Sequence, residues 1–114
     1  MHRNFFDLLA AQWAQKKFLS VALDPDVEKI PESVRASGLG DSILAFNKHL
    51  IEVTKDIVCA YKINVAFYEA HGEEGQKALE ASIEFIREVA PQLPIIIDAK
   101  RADIGNTNAG YVRA

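Results

Sequence analysis

Three short apolar segments alternate with amphipathic segments along this chain, and this order restricts the fold more than any other feature. The strand-like segments are residues 18–23, 56–61 and 94–97. The last of them holds three consecutive isoleucines, which is typical of a strand buried on both faces. Apolar residues at helical spacing occur before the first segment and between each pair. The alternation predicts parallel β-α-β units and therefore an α/β fold.

The helical segments begin at residues suited to helix starts. Asn4 and Asp41 are candidate N-caps, and proline or paired lysines follow the expected helix ends. We predict a helix from Asn4 to about Lys17, a second one capped by Asp41 with apolar residues at positions 43, 46, 50 and 53, and a third over residues 73–90. Residues 64–72 are predicted to be a loop, and residues 105–108 a turn that begins another helix.

Composition limits the classes of function. The chain has 114 residues, of which 49% are apolar and 25% charged, and a net charge of −3, so we expect neither nucleic-acid nor membrane binding. No apolar stretch reaches the roughly 18 residues of a membrane span, and no signal-peptide pattern is present at the N-terminus. Cys59 is the single cysteine, which excludes an internal disulfide and favours a cytoplasmic location.

Ionisable residues follow each of the three predicted strands. Asp24 follows the first strand, Lys62 the second, and Asp98 and Lys100 the third, with Asp103 shortly after. The carboxyl ends of parallel strands meet at one edge of a sheet, where active sites lie in α/β barrels and doubly wound sheets. Asp98 and Lys100 can also point to the same side, because side chains in a strand alternate. We predict that these charged groups form one network.

The alternation of acids and bases limits the chemistry of such a network. A lysine held between carboxylates stays protonated, which makes it a poor Schiff-base nucleophile but a good proton donor. An acid beside a carboxylate of the substrate would repel it in the ground state. These two features suit the loss of CO2 followed by protonation of a carbanion.

Each of these residues also has a structural explanation when it is taken alone. Asp24 precedes a proline and could form a turn, Lys62 could be a solvated surface lysine, and Asp103 could cap the helix that follows. Asp98 and Lys100 are harder to explain in this way, because they directly follow a predicted buried strand.

No metal or cofactor is predicted. His49 and His71 have no partners at metal-ligand spacing, and the glycines form neither a dinucleotide-binding nor a P-loop motif. Asp26, Asn47 and Asn64 are given no catalytic role.

Three stretches of the chain resemble the orotidine 5′-phosphate decarboxylases, in particular the longer bacterial subgroup. They are DAKRADIGNT at residues 98–107, VALDPD at 21–26 and AYKINVAFYE at 60–69. Their order and spacing hold across the whole chain. The DxKxxD pattern alone also occurs in the related hexulose-phosphate synthases, where it serves a Mg²⁺-dependent aldol reaction, so an aldolase of that kind is the alternative.

The resemblance implies decarboxylation of orotidine 5′-monophosphate to uridine 5′-monophosphate without metal or cofactor. Lys100 would donate a proton to the C6 carbanion, and Asp98 would lie against the departing carboxylate. Lys62 would bridge Asp98 and the ribose, and Asp24 would hydrogen-bond a ribose hydroxyl.

The resemblance also implies a homodimer with shared active sites. Asp103 and Thr107 would reach the ribose in the site of the second subunit. We count Asp103 among the catalytic residues and Thr107 among the substrate-binding ones.

The length of the chain suits only part of the fold that the family implies. A (β/α)8 barrel takes about 250 residues, whereas this chain supplies about three β/α units after an N-terminal helix. We therefore expect residues 1–114 to be the N-terminal segment of a single TIM-barrel domain, with a sheet edge and barrel-facing side chains exposed. The phosphate- and pyrimidine-binding residues would lie outside the segment. We expect the isolated chain to be inactive, and a non-catalytic partial barrel is the remaining alternative.

Overall fold

The chain alternates helices and strands in the computed structural model, which describes residues 3–100 and 104–113 without the side chain of Tyr111. The helices are α1 (Phe5–Ala14), α2 (Leu39–Thr54), α3 (Ala66–Glu69), α4 (Gly72–Val89) and α5 (Gly105–Arg113). The strands are β1 (Leu19–Ala22), β2 (Val58–Asn64) and β3 (Ile95–Asp98), and two short 3₁₀ helices, Val27–Lys29 and Glu32–Val34, lie between β1 and α2.

The three strands form one parallel sheet in the order β1-β2-β3. Lys62 of β2 lies opposite Ala22 on one side and opposite Ile96 on the other. Asn64 lies opposite Asp98. Each pair of neighbouring strands is connected through helices, so the predicted parallel β-α-β order is confirmed.

The two faces of the sheet differ in polarity and exposure. On one face Tyr61 and Ile63 are fully buried in a core that includes Ile51 of α2 and Ile86 of α4. The opposite face holds the alternate residues of each strand, and apart from Ile96 they are small or polar. We call this the open face, and its members are Ser20, Ala22, Ala60, Lys62, Asn64, Ile96 and Asp98. Lys62 and the β1 residues of this face are exposed, as expected for a partial barrel.

Local chemistry explains where the helices begin and end. The Asn4 side chain accepts a hydrogen bond from the Asp7 N–H at 3.1 Å, which confirms the predicted N-cap of α1. Helix α4 has Glu73 and Glu74 in its first turn and Arg87 in its last, so its charges complement the helix dipole. No helix among the described residues combines the length and apolar character needed to cross a membrane.

Some predicted boundaries of the strands and helices were wrong. Strand β2 runs past residue 61 to Asn64, because its ladder with β3 continues to the Asn64–Asp98 pair. The expected loop over residues 64–72 contains α3, which follows a turn in which the Ala66 N–H donates to the Asn64 Oδ1 at 3.1 Å. Asp41 lies in the first turn of α2, whose N-cap is Gly38.

Strand β3 is less buried than its sequence predicts. It lies at one edge of the described sheet, and the Ile97 side chain is 48% exposed. An apolar run of this kind is typical of a strand with neighbours on both sides, as in a closed barrel.

Candidate active site

Asp24 lies at the carboxyl end of the sheet, two residues after β1. The Leu23 N–H donates to the Lys62 carbonyl at 2.8 Å, so the pairing of β1 with β2 continues beyond the strand itself. The Asp24 Oδ1 then accepts a hydrogen bond from the backbone N–H of Asn64 at 3.0 Å. This bond connects the chain after β1 to the last residue of β2, and it orients the carboxylate of Asp24.

Asp98 lies between two lysines on the open face. Its Oδ2 is 3.4 Å from the Lys62 Nζ and accepts a hydrogen bond from the Lys100 Nζ. The Asp98 side chain is 11% exposed, whereas those of Lys62 and Lys100 are each 48% exposed. Lys62 comes from β2, and the other two residues come from the end of β3 and the segment that follows. The predicted meeting of Asp98 with both lysines is therefore present.

Positive and negative charges alternate in this cluster. The Asp98 carboxylate has a lysine on each side, and the charges of Lys62 and Lys100 also act on Asp24. The lysine held between carboxylates stays a prediction, since Asp103 lies outside the described residues. Because Asp98 ends β3 and Lys100 follows two residues later, both side chains turn to the side of the sheet where Lys62 projects.

The two carboxylates of the cluster differ in their pKa values. The hydrogen bond from Lys100 lowers the pKa of Asp98, and Lys62 lowers it further, against an opposing effect of desolvation. Burial raises the pKa of Asp24, although the Asn64 N–H and the charge of Lys62 oppose that effect. Asp98 therefore stays ionised to a lower pH than a free aspartate, whereas Asp24 takes up a proton at a higher pH than a free aspartate.

The two remaining predicted site residues lie near the end of the chain. Thr107 is on α5, only 4% exposed, and its hydroxyl donates to the Asn106 Oδ1 at 3.5 Å. Asp103 lies outside the described residues.

Three residues to which the sequence assigned no catalytic role, Asn64, Tyr68 and Asn47, form the hydrogen bonds that hold Asp24 and the residue before it in place. Asn64 supplies the N–H that holds Asp24 and lies opposite Asp98 in the sheet. The fully buried Tyr68 and Asn47 are hydrogen-bonded to each other at 2.8 Å, and the Tyr68 hydroxyl donates to the Leu23 carbonyl at 2.8 Å. For Asn47, the sequence signal that could have identified it is a polar residue at a position where the helical pattern predicts core.

A cleft of about 340 Å³ lies next to this cluster in the fold but is separate from it. Its lining comes from the loop after β1, the start of α2, α3 with the two residues after it, and α5. It includes Phe67, His71 and Arg113 but none of the four charged residues above. Burial and the nearby Arg113 lower the pKa of His71. Among the described residues, no group of three or more His, Cys, Asp or Glu side chains is placed to hold a metal ion.

The fold and the cluster together define a class of protein. Parallel β/α units with charged side chains gathered at the carboxyl ends of the strands are the arrangement of a (β/α)8-barrel enzyme. The sequence profile of the family described as orotidine 5′-phosphate decarboxylase / HUMPS matches residues 17–114. The chain belongs to this family.

Similar proteins agree with that assignment and also show its extent. The chain is 48% identical over 112 residues to the orotidine 5′-phosphate decarboxylase of Porphyromonas gingivalis, covering 98% of this chain and 39% of that protein. It is 48% identical over 99 residues to that of Bacteroides fragilis, covering 87% and 35% respectively. The structure of Leishmania donovani OMP decarboxylase matches with a TM-score of 0.69 and 38% identity over 92% of this chain and 36% of that one. The chain thus spans little more than a third of the length of these relatives, and its fold is part of their barrel.

Proposed function

We propose that this chain is the N-terminal segment of an orotidine 5′-phosphate decarboxylase, in which residues 1–114 form part of a single barrel domain. The complete enzyme would convert orotidine 5′-monophosphate to uridine 5′-monophosphate in pyrimidine nucleotide synthesis, in the cytoplasm. The observation that carries the proposal is the contact of one Asp98 carboxylate with the ammonium groups of both Lys62 and Lys100 at the carboxyl ends of the strands.

The proposed reaction uses this arrangement directly. The substrate carboxylate would lie against Asp98, where two like charges raise the energy of the ground state. The bond from C6 to the carboxyl carbon breaks, CO2 leaves, and the electron pair remains on C6. The Lys100 ammonium stabilises that charge and then donates its proton to C6, so that Lys100 becomes neutral and is reprotonated by water. The route requires neither a metal nor a cofactor.

The other residues of the cluster suit contacts with the sugar. In the proposal, Lys62 bridges Asp98 and the ribose, and Asp24 accepts a hydrogen bond from a ribose hydroxyl. Support comes from their positions, since both lie at the same sheet edge as Asp98 and the Asp24 carboxylate has a fixed orientation.

A second subunit would complete each site in the proposed homodimer. Asp103 and Thr107 would contact the ribose bound by the partner. The support for this part is the DxKxxD motif and the threonine that follows it.

The proposal can be tested by supplying the rest of the barrel. We define the completed barrel as this chain followed by the part of the Porphyromonas gingivalis decarboxylase that lies beyond the matched segment. Strands β1 and β3 form the two edges of the described sheet, where the added units would pair. Formation of uridine 5′-monophosphate from orotidine 5′-monophosphate by the purified completed barrel is the expected result, and the isolated 114-residue chain should form none.

Two other results would favour the alternatives. The synthase would be supported if the completed barrel did not decarboxylate orotidine 5′-monophosphate but catalysed a Mg²⁺-dependent aldol reaction on a hexulose phosphate. A folded completed barrel with neither activity would support a non-catalytic partial barrel and contradict the proposal. Circular dichroism of the same preparation establishes that it is folded.

A further inference from the structure

A chain of buried hydrogen bonds runs from helix α4 to the residue before Asp24. The Ser82 hydroxyl donates to the Ala78 carbonyl at 2.7 Å, and the Asn47 Nδ2 donates to the Ser82 Oγ at 2.9 Å and to the Tyr68 hydroxyl at 2.8 Å. The Tyr68 hydroxyl in turn donates to the carbonyl of Leu23 at 2.8 Å. All of these side chains are fully buried, so water does not compete for the bonds.

The direction of each bond in this chain is determined by the groups that take part. The hydroxyl protons of Ser82 and Tyr68 are both donated to backbone carbonyls, so each hydroxyl oxygen can only accept a hydrogen bond from Asn47. The Asn47 amide nitrogen carries two N–H groups and donates one to each oxygen. Its Oδ1 is buried without a partner among the described groups, a cost that an apolar residue at position 47 would not carry.

The last bond fixes the peptide group that leads into Asp24. The Leu23 N–H is held by the Lys62 carbonyl and its C=O by the Tyr68 hydroxyl. Leu23 and Pro25, the neighbours of Asp24 on either side, are both fully buried. Without the Tyr68 hydroxyl, the Leu23 carbonyl would be buried without a hydrogen-bond donor. The peptide would then lower its free energy by turning toward water. Asp24 would turn with it and leave the Asn64 N–H.

We propose that Tyr68 is a positioning residue for Asp24, held in its role by Asn47. Its hydroxyl orients the Leu23–Asp24 peptide so that the Asp24 carboxylate meets the Asn64 N–H at the sheet edge. The consequence for sugar binding rests on the proposed function, whereas the orientation of Asp24 does not.

The first test removes the hydroxyl alone. Tyr68→Phe in the 114-residue chain should shift the Asn64 amide proton resonance and lower the exchange protection of that amide by about tenfold relative to other β2 amides, the factor expected for loss of one ordinary hydrogen bond. Tyr61→Phe is the matched control. Tyr61 of β2 is as fully buried as Tyr68, and its hydroxyl lies 2.7 Å from the Thr54 Oγ1 and 3.1 Å from the Ile51 carbonyl, away from Asp24.

A general loss of stability would lower the protection of all β2 amides in both variants. An Asn64 amide that responds alike to Tyr68→Phe and Tyr61→Phe would therefore overturn the proposal.

The second test uses the completed barrel. Tyr68→Phe should lower kcat/KM for orotidine 5′-monophosphate by roughly tenfold when Asp24 is present, and by nothing further when Asp24→Ala is already in place. Additive effects of the two substitutions would contradict the positioning role. Absence of decarboxylation in the parent completed barrel would instead contradict the proposed function, and the amide measurement would still decide the role of Tyr68.

Discussion

The ammonium group of Lys100 donates a hydrogen bond to the Oδ2 of Asp98, two residues earlier in the chain. Asp98 is the last residue of β3, and Lys100 lies in the segment that follows it, so the Lys100 side chain reaches back to the end of the strand. The same oxygen lies 3.4 Å from the Lys62 Nζ. Three charges, from β2, from the end of β3 and from the segment after β3, thus lie together at the carboxyl ends of the strands.

The Asp98 cluster should make the stability of the chain depend on acid pH. The lysines lower the pKa of Asp98 in the folded state, so its contribution to stability is fully present above pH about 4, where the unfolded carboxyl is ionised, and is lost as the pH falls through the lower folded pKa. Asp98→Asn should therefore lower the free energy of unfolding at pH 7, by an amount that shrinks below pH 4. Urea denaturation across this pH range measures both.

Asp56→Asn is a suitable control for that experiment, because the Asp56 side chain is 82% exposed beside Lys55. Its effect should be small and nearly independent of pH. Equal effects of the two substitutions at every pH would contradict the assigned role of Asp98.

Asp24 should behave in the opposite sense. Burial raises its pKa in the folded state, so the ionised carboxylate opposes folding once the pH exceeds the unfolded value of about 4. Asp24→Asn keeps an oxygen that can accept from Asn64, and should leave the free energy of unfolding at pH 7 unchanged or higher. In the completed barrel the same substitution should weaken binding of a uridine phosphate by roughly 10–100-fold, as expected for loss of a charged hydrogen bond. A less stable variant with normal binding would contradict this account of Asp24.

Gly75 should be intolerant of any side chain. A Cβ at this position of α4 would lie 1.8 Å from the Tyr68 carbonyl oxygen, which is backbone and can move only if α3 moves. Gly75→Ala should lower the free energy of unfolding by about 3 kcal/mol, at the upper end of overpacking effects. At Gly105, the first residue of α5, a Cβ would meet nothing within 4 Å. Gly105→Ala should change stability by less than about 1 kcal/mol, and similar losses for both variants in urea denaturation would contradict the close packing of α4 on α3.

The sheet order and the meeting of Asp98 with Lys100 could be predicted because both follow from local patterns. Alternating strands and helices indicate parallel pairing, and a spacing of two places side chains on one face. The position of Lys62 was harder to predict, since it is the pairing with both β1 and β3 that shows that β2 continues through it.

The support beneath Asp24 could not be predicted from sequence patterns. The Asn47–Tyr68 bond joins residues 21 apart, and the Tyr68–Leu23 bond joins residues 45 apart. Such bonds depend on how α2, α3 and β1 pack, and the local sequence does not show which groups they join. The isoleucines of β3 illustrate the converse, because they predict burial that an edge strand does not provide.

The central claim is that Lys100, held by Asp98, protonates the carbanion formed by decarboxylation. Its most direct test is the rate of CO2 release from orotidine 5′-monophosphate by the completed barrel with and without Lys100→Ala. We predict that kcat falls by about 10²–10⁴-fold, the usual effect of removing a general acid. Lys77→Ala, which removes an exposed lysine 2.8 Å from Glu73 on α4, should leave kcat unchanged. Turnover by the Lys100→Ala variant within tenfold of the parent would contradict the claim.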